Sequence, residues 1–168
     1  MPYPNDLLEQ ARHLANREPK RPKQASLRRA VSTAYYALFQ LLGIELARNW
    51  KRTGDRSTLA RMLEHGTMAN VCSNKSKDLS KHFSQNPPPP QNHALTVLRH
   101  IKTIAETFVQ MYQQRQIADY NNARKWGRTD VLQKIDTVEV AFQSWLAIRD
   151  EDEAQSFLVT LLLKERKF

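Results

Sequence analysis

The chain has 168 residues, 40% of them hydrophobic, only 4 glycines, and a formal net charge of +9 from 26 Lys and Arg against 17 Asp and Glu. That length suits a single domain spanning 1–168 with a proper core. So few glycines leave little room for a turn-rich β protein, and no uninterrupted apolar run approaches the ~18 residues of a bilayer span.

One cysteine, Cys72, excludes an internal disulfide framework and fits a reducing cytoplasm, with a buried inert thiol the commoner fate of such a residue. The start, Met1 to Asp6, has no apolar segment behind a basic one, so no signal peptide is expected and the protein reads as cytoplasmic, with no membrane partner. The basic balance favours a polyanion partner such as RNA or DNA, through counterion release. The plainer account is a solvated basic surface that maintains solubility.

A first helix is expected from about Asn5 to Arg17, with Asn5 as N-cap and an apolar face of Leu7, Leu8, Ala11, Leu14 and Ala15. Pro19 and Pro22 then break it. A second, longer helix runs from about Ser26 to Trp50. Ala30, Ala34 and Ala37 allow a neighbour to approach closely. Tyr35 and Tyr36 point about 100° apart, so one belongs to the core and the other reaches a polar group or a partner chain. Arg28 and Arg29, with Arg17, Lys20, Arg21 and Lys23, make a basic cluster opposed by Glu18 alone. It is either a solvated loop or a phosphate-contacting edge.

Short helices follow, from Ser57 to Glu64 and from Thr67 to about Ser73, with Gly66 between them as a C-capping glycine. On that reading His65 sits at a helix C-terminus, where the dipole favours its charge. Its role is a cap or a satisfied hydrogen bond, or else a site residue. Residues 77–92 carry the run Pro87 to Pro90 and read as an extended, mobile connector. His82 and His93 flank the proline run without metal-site spacing. After the polar loop Asn121–Thr129 a helix runs to about Arg149, with Thr129 as N-cap and Leu132, Ile135, Val138, Val140, Ala141, Phe142, Trp145, Leu146 and Ile148 as its apolar set. A C-terminal helix is expected over 151–166, broad-faced and ending in basic residues.

The stretch from Leu95 to Tyr120 reads as the organising helix. Leu98, Ile101, Ile104, Ala105, Phe108, Met111 and Tyr112 recur at steps of three and four, on one face. The next position on that stripe is Arg115. A guanidinium continuing an apolar stripe has to pair, stack or face another chain. Asp119, four residues on, is placed to pair with it, so the two form either a structural ion pair or a ligand-contacting site. With no alternating period-2 run anywhere, the fold expected is all-α, an up-down four-helix bundle with extra short helices.

No glycine-rich phosphate loop, His-Glu-x-x-His, Cys-x-x-Cys or Gly-x-Ser-x-Gly is present. No metal or other cofactor is therefore expected. One constellation remains. The helix Leu27-Arg28-Arg29-Ala30-Val31-Ser32-Thr33-Ala34-Tyr35-Tyr36-Ala37-Leu38-Phe39 resembles the signature helix of HEPN-domain proteins. Leu63 to Met68 and Arg115-Gln116-Ile117-Ala118-Asp119-Tyr120 resemble segments of a small prokaryotic branch of that superfamily. The resemblance covers roughly residues 25–148.

It implies a HEPN-like bundle that forms a homodimer. Many HEPN domains are metal-independent ribonucleases, some in toxin–antitoxin or defence systems, whose Arg-x4-6-His motifs meet in a cleft between subunits. Arg115 matches the arginine, but Tyr120 stands in the histidine's place and no histidine follows His100. A phenol with a pKa of about 10 is a poor base at neutral pH. The resemblance therefore implies an RNA-binding module, RNA rather than DNA, without efficient catalysis. Arg115, Asp119, Tyr35, Tyr36, Arg28 and Arg29 would contact nucleic acid. Such a module could engage a partner protein instead of RNA; the alternatives are an endoribonuclease using Arg115, Tyr120 and His65, and a structural or regulatory dimer without nucleic acid.

Overall fold

The computed structural model describes residues 2–164, and these are all-helical, with no strand among them. The helices are α1 (Pro2–Ala15), α2 (Gln24–Arg48), α3 (Arg56–Arg61), α4 (His65–Phe83), α5 (His93–Tyr120), α6 (Arg128–Ile148) and α7 (Asp152–Thr160), with a 3-10 turn at Thr53–Asp55.

The central helix is α2. It packs against α1, α3, α5, α6 and α7, whereas α5 packs against α2, α4, α6 and α7. Its small residues explain this: Ala30, Ala34 and Ala37 are fully buried, so neighbours close on it from several sides, while Leu27, Val31, Leu38 and Leu42 fill the spaces between. By length and composition α2 would also pass as a membrane span, but most of that stretch is buried inside the bundle.

Side-chain pairings fix the directions. Arg28, near the start of α2, reaches the carbonyl of Ala118 near the end of α5, so these two helices are antiparallel. Gln24 bonds the backbone of Trp126, just before α6, and Glu45 bonds Arg149, just after it, so α2 and α6 run parallel. Arg12 pairs with Asp136 and Glu139, and Arg128 with the Ala15 carbonyl, which sets α1 antiparallel to α6. Ser76 bonds Glu106 and Arg99 lies over Phe83, which sets α4 antiparallel to α5.

Several expected boundaries moved. α1 begins at Pro2, so Asn5 lies inside the helix and is not its N-cap. Gly66 does not end a helix; His65 and Gly66 open α4, which runs unbroken to Phe83. Met68, Cys72 and Leu79 are buried on α4 and Phe83 packs partly buried beside them, and that stripe carries the helix on. The connector is therefore only 84–92, with Asn92 capping α5 through the Leu95 amide. Gly127, not Thr129, is the N-cap of α6. Val140 and Leu146 face solvent, and Val131 joins the core instead. α7 stops at Thr160, short of the expected 166; residues 165–166 of that expectation lie outside the described residues.

Between α2 and α4 the chain doubles back along α2. Leu63 comes to rest against Gly43, where an added Cβ would meet its Cδ1 at 3.3 Å. This return brings the start of α4 level with the middle of α2 and places His65 beside Tyr35.

Candidate functional site

Three helices meet where α2 passes the last turns of α5 and the first turn of α4. Tyr35 and Tyr36 come from α2, His65 from α4, and Tyr112, Arg115 and Asp119 from α5. Tyr35 is fully buried. Its ring lies 5.4 Å from that of Tyr36, 5.5 Å from Phe108, 6.1 Å from Tyr112 and 5.7 Å from the His65 imidazole. This is the core tyrosine of the pair, as expected, and Tyr36 is the one that reaches a polar group: its hydroxyl accepts from Arg115 Nη2 at 3.1 Å.

Arg115 does what an arginine on an apolar stripe has to do. Its side chain is only 16% exposed. The guanidinium carbon sits 5.6 Å from the Tyr35 ring centre and 5.5 Å from that of Tyr36, within cation–π range. Nε lies 3.2 Å from Asp119 Oδ2 but is not aligned as a hydrogen-bond donor, so the contact is an ion pair only. Burial works against the charge, but the Tyr36 hydrogen bond and the Asp119 carboxylate outweigh it and hold the pKa above the usual arginine value. Asp119 is tied down in turn by the Ser32 hydroxyl, which donates to its Oδ1.

His65 differs most from expectation. It sits in the first turn of α4, where the dipole opposes a positive charge instead of favouring it. Burial and the nearby Arg115 push its pKa below the usual imidazole value. The ring stacks on Phe39 at 4.1 Å, with Tyr36 edge-on at 5.8 Å, and Nδ1 is 2.6 Å from the Tyr35 hydroxyl. Burial also raises the Tyr35 pKa, so the phenol keeps its proton.

Other expected site residues are placed differently. Arg28 is no free cation: its two terminal nitrogens donate to the carbonyls of Ala118, Asn121, Asn122 and Arg124, at 2.7–3.2 Å, and pin the loop between α5 and α6. Arg29 is exposed and shares a helix face with Ser32 and Tyr36. Tyr120, at the end of α5, is 75% exposed and has no ring or hydrogen-bond partner among the described residues.

Ser32 and Phe39 lie in the signature helix, where the sequence alone assigns them no role. Only the approach of α4 and α5 gives them one, although Ser32 stands one helical turn before the two tyrosines, which was a usable signal.

The loops flanking this end bring more cations. Glu18 accepts from the Lys23 amide at 3.2 Å and the Ser26 hydroxyl at 2.8 Å, which closes the loop between α1 and α2. Arg128 bonds the Ala15, Glu18 and Pro19 carbonyls and joins that loop to the start of α6. Lys20, Arg21, Arg29 and Lys125 are exposed around this end and make no ion pair among the described residues.

A groove of about 530 Å³ lies elsewhere, between the end of α4 and the first half of α5, lined by Ser80, Phe83, Ser84, Arg99, Lys102 and Glu106 among others. Its groups satisfy one another: Arg99 covers Phe83, while Lys102 and Ser76 both bind Glu106. Cys72 is buried, and burial raises its pKa, so it is no nucleophile. No group of His, Cys, Asp and Glu among the described residues is arranged to hold a metal ion. Compared with known protein families, curated proteins and solved structures, the chain matches none.

Proposed function

We propose that the protein is a HEPN-like, homodimeric helical module of the cytoplasm that binds RNA without efficient catalysis. What supports the reading is one juxtaposition. A largely buried arginine, held ready by two tyrosines and an aspartate, stands at the end of the bundle where four exposed cations have no acid partner among the described residues. Such an end attracts a phosphate backbone over a distance and offers one fixed guanidinium on arrival. RNA in preference to DNA, and the dimer, follow from the HEPN resemblance of the α2 signature helix.

Binding is tested by fluorescence anisotropy with a short single-stranded RNA across a salt series. The logarithm of affinity is expected to fall by about 0.7 for each phosphate contact per logarithm of salt, and Arg115→Ala to weaken binding at every salt concentration. An affinity that does not change with salt overturns the reading. Light scattering tests the dimer, and a monomer throughout the working concentration range removes that part.

A second reading, metal-independent endoribonuclease, is favoured by the proximity of His65 to Arg115, since it returns an imidazole to the arginine from another helix. It requires RNA cleavage in EDTA that both Arg115→Ala and His65→Ala abolish.

A further inference from the structure

The Tyr35–His65 contact determines what His65 can do, and this goes beyond the RNA-binding reading, on which it rests. Tyr35 is fully buried, and its hydroxyl has one hydrogen-bond partner among the described residues, His65 Nδ1 at 2.6 Å. A buried hydroxyl that keeps its proton needs an acceptor for it, and Nδ1 fills that need only when it carries no proton itself. The imidazole proton of neutral His65 is then on Nε2. Phe39 stacked on one face and Tyr36 edge-on favour this ring orientation.

Beside it, Tyr36 accepts from Arg115, which leaves its own hydroxyl proton to be donated. Arg115, Tyr36 and His65 are each only partly buried, so a ligand can reach all three.

We propose that Arg115, Tyr36 and the Nε2–H of His65 together donate to one phosphodiester group, and that Tyr35 is the positioning residue that fixes His65 in this donor tautomer. A ring locked in that form offers a proton to hydrogen-bond but has no free lone pair toward the ligand. It therefore binds a phosphate oxygen and does not act as a general base. The arrangement separates a binder from a nuclease by one buried hydroxyl.

The experiment uses full-length protein with 15N-labelled histidine. Long-range proton–nitrogen NMR at neutral pH reads the tautomer directly, with no need for RNA. Wild type is expected to show His65 as the Nε2–H form, and Tyr35→Phe to show a mixture or the Nδ1–H form. Titration with inorganic phosphate is then expected to shift the His65 resonances in wild type. In the RNA assay His65→Gln, whose amide still donates from nearly the same place, is expected to bind within about threefold of wild type, and His65→Ala about tenfold more weakly.

A wild-type Nδ1–H tautomer overturns the proposal, as does His65→Gln binding no better than His65→Ala. If wild type binds no RNA yet shows the Nε2–H form and responds to phosphate, the RNA reading fails while the donor site stands. Circular dichroism and thermal melting of Tyr35→Phe check that the variant is folded. If it is not, the wild-type tautomer and the two His65 variants still decide the question.

Discussion

Asp119 lies one helical turn beyond Arg115, with its Oδ2 3.2 Å from the arginine Nε, and the Ser32 hydroxyl holds its other oxygen. The carboxylate both steadies the guanidinium and competes with any incoming anion for it. Asp119→Asn keeps an acceptor for Ser32 and removes the competing charge. RNA affinity is expected to rise about two- to fivefold at low salt, and the gain to shrink as salt screens it. Anisotropy measured at two salt concentrations checks this, and a lower affinity with the fold intact would mean that Asp119 touches the ligand itself.

Arg28 illustrates how a basic residue near a site can be wholly structural. Its four donations to carbonyls pin the loop between α5 and α6. Arg28→Ala leaves those carbonyls without that partner and is expected to cost about 2–4 kcal/mol of stability. Urea unfolding measures the loss. Arg29→Ala, on an exposed residue one position along, is expected to leave stability within about 0.5 kcal/mol and to lower RNA affinity.

At the other end of the bundle Glu45 is 3% exposed and accepts from Arg149 at 2.9 and 3.1 Å and from Arg48 at 3.1 Å. This pair locks α2 to the end of α6. Arg149→Ala leaves the buried carboxylate with Arg48 alone and is expected to cost about 3 kcal/mol. A double substitution of Glu45 and Arg149 by apolar residues of similar size is expected to recover much of that loss. Denaturant midpoints for the single and double variants check both statements.

His65 makes stability depend on pH. Its folded pKa lies below the ordinary imidazole value, because burial and Arg115 oppose its charge. In the unfolded chain it takes a proton at about pH 6.5, while the folded form still refuses one. Its contribution is therefore fully present above about pH 6.5 and is lost as pH falls from there toward the depressed folded value. His65→Gln is expected to remove part of the drop in urea midpoint between about pH 7.5 and about pH 5.5. An unchanged drop shows that other groups carry it.

The helical class, the run of the long helices and the anomaly at Arg115 were all legible in the residues. Each is a local pattern: a recurrence of apolar side chains at steps of three and four, two prolines that stop a helix, a charge where the stripe should continue. Such patterns report which face of a helix is buried, because burial acts on every turn alike.

Local patterns do not report what a face is buried against. A glycine after a histidine reads as a stop signal, yet His65 and Gly66 start a helix, because the chain folds back along α2 and the buried stripe of α4 continues to Phe83. That return brings an imidazole 30 residues from Tyr35 in sequence to its hydroxyl. It also reverses the helix-dipole effect on the imidazole and leaves His65 near the arginine. Arg28 and Arg29 are neighbours in sequence, and only the position of the loop after α5 makes one a clamp and the other a free cation. Burial periodicity is written along the chain, whereas partnerships between side chains on different helices depend on where each helix comes to rest.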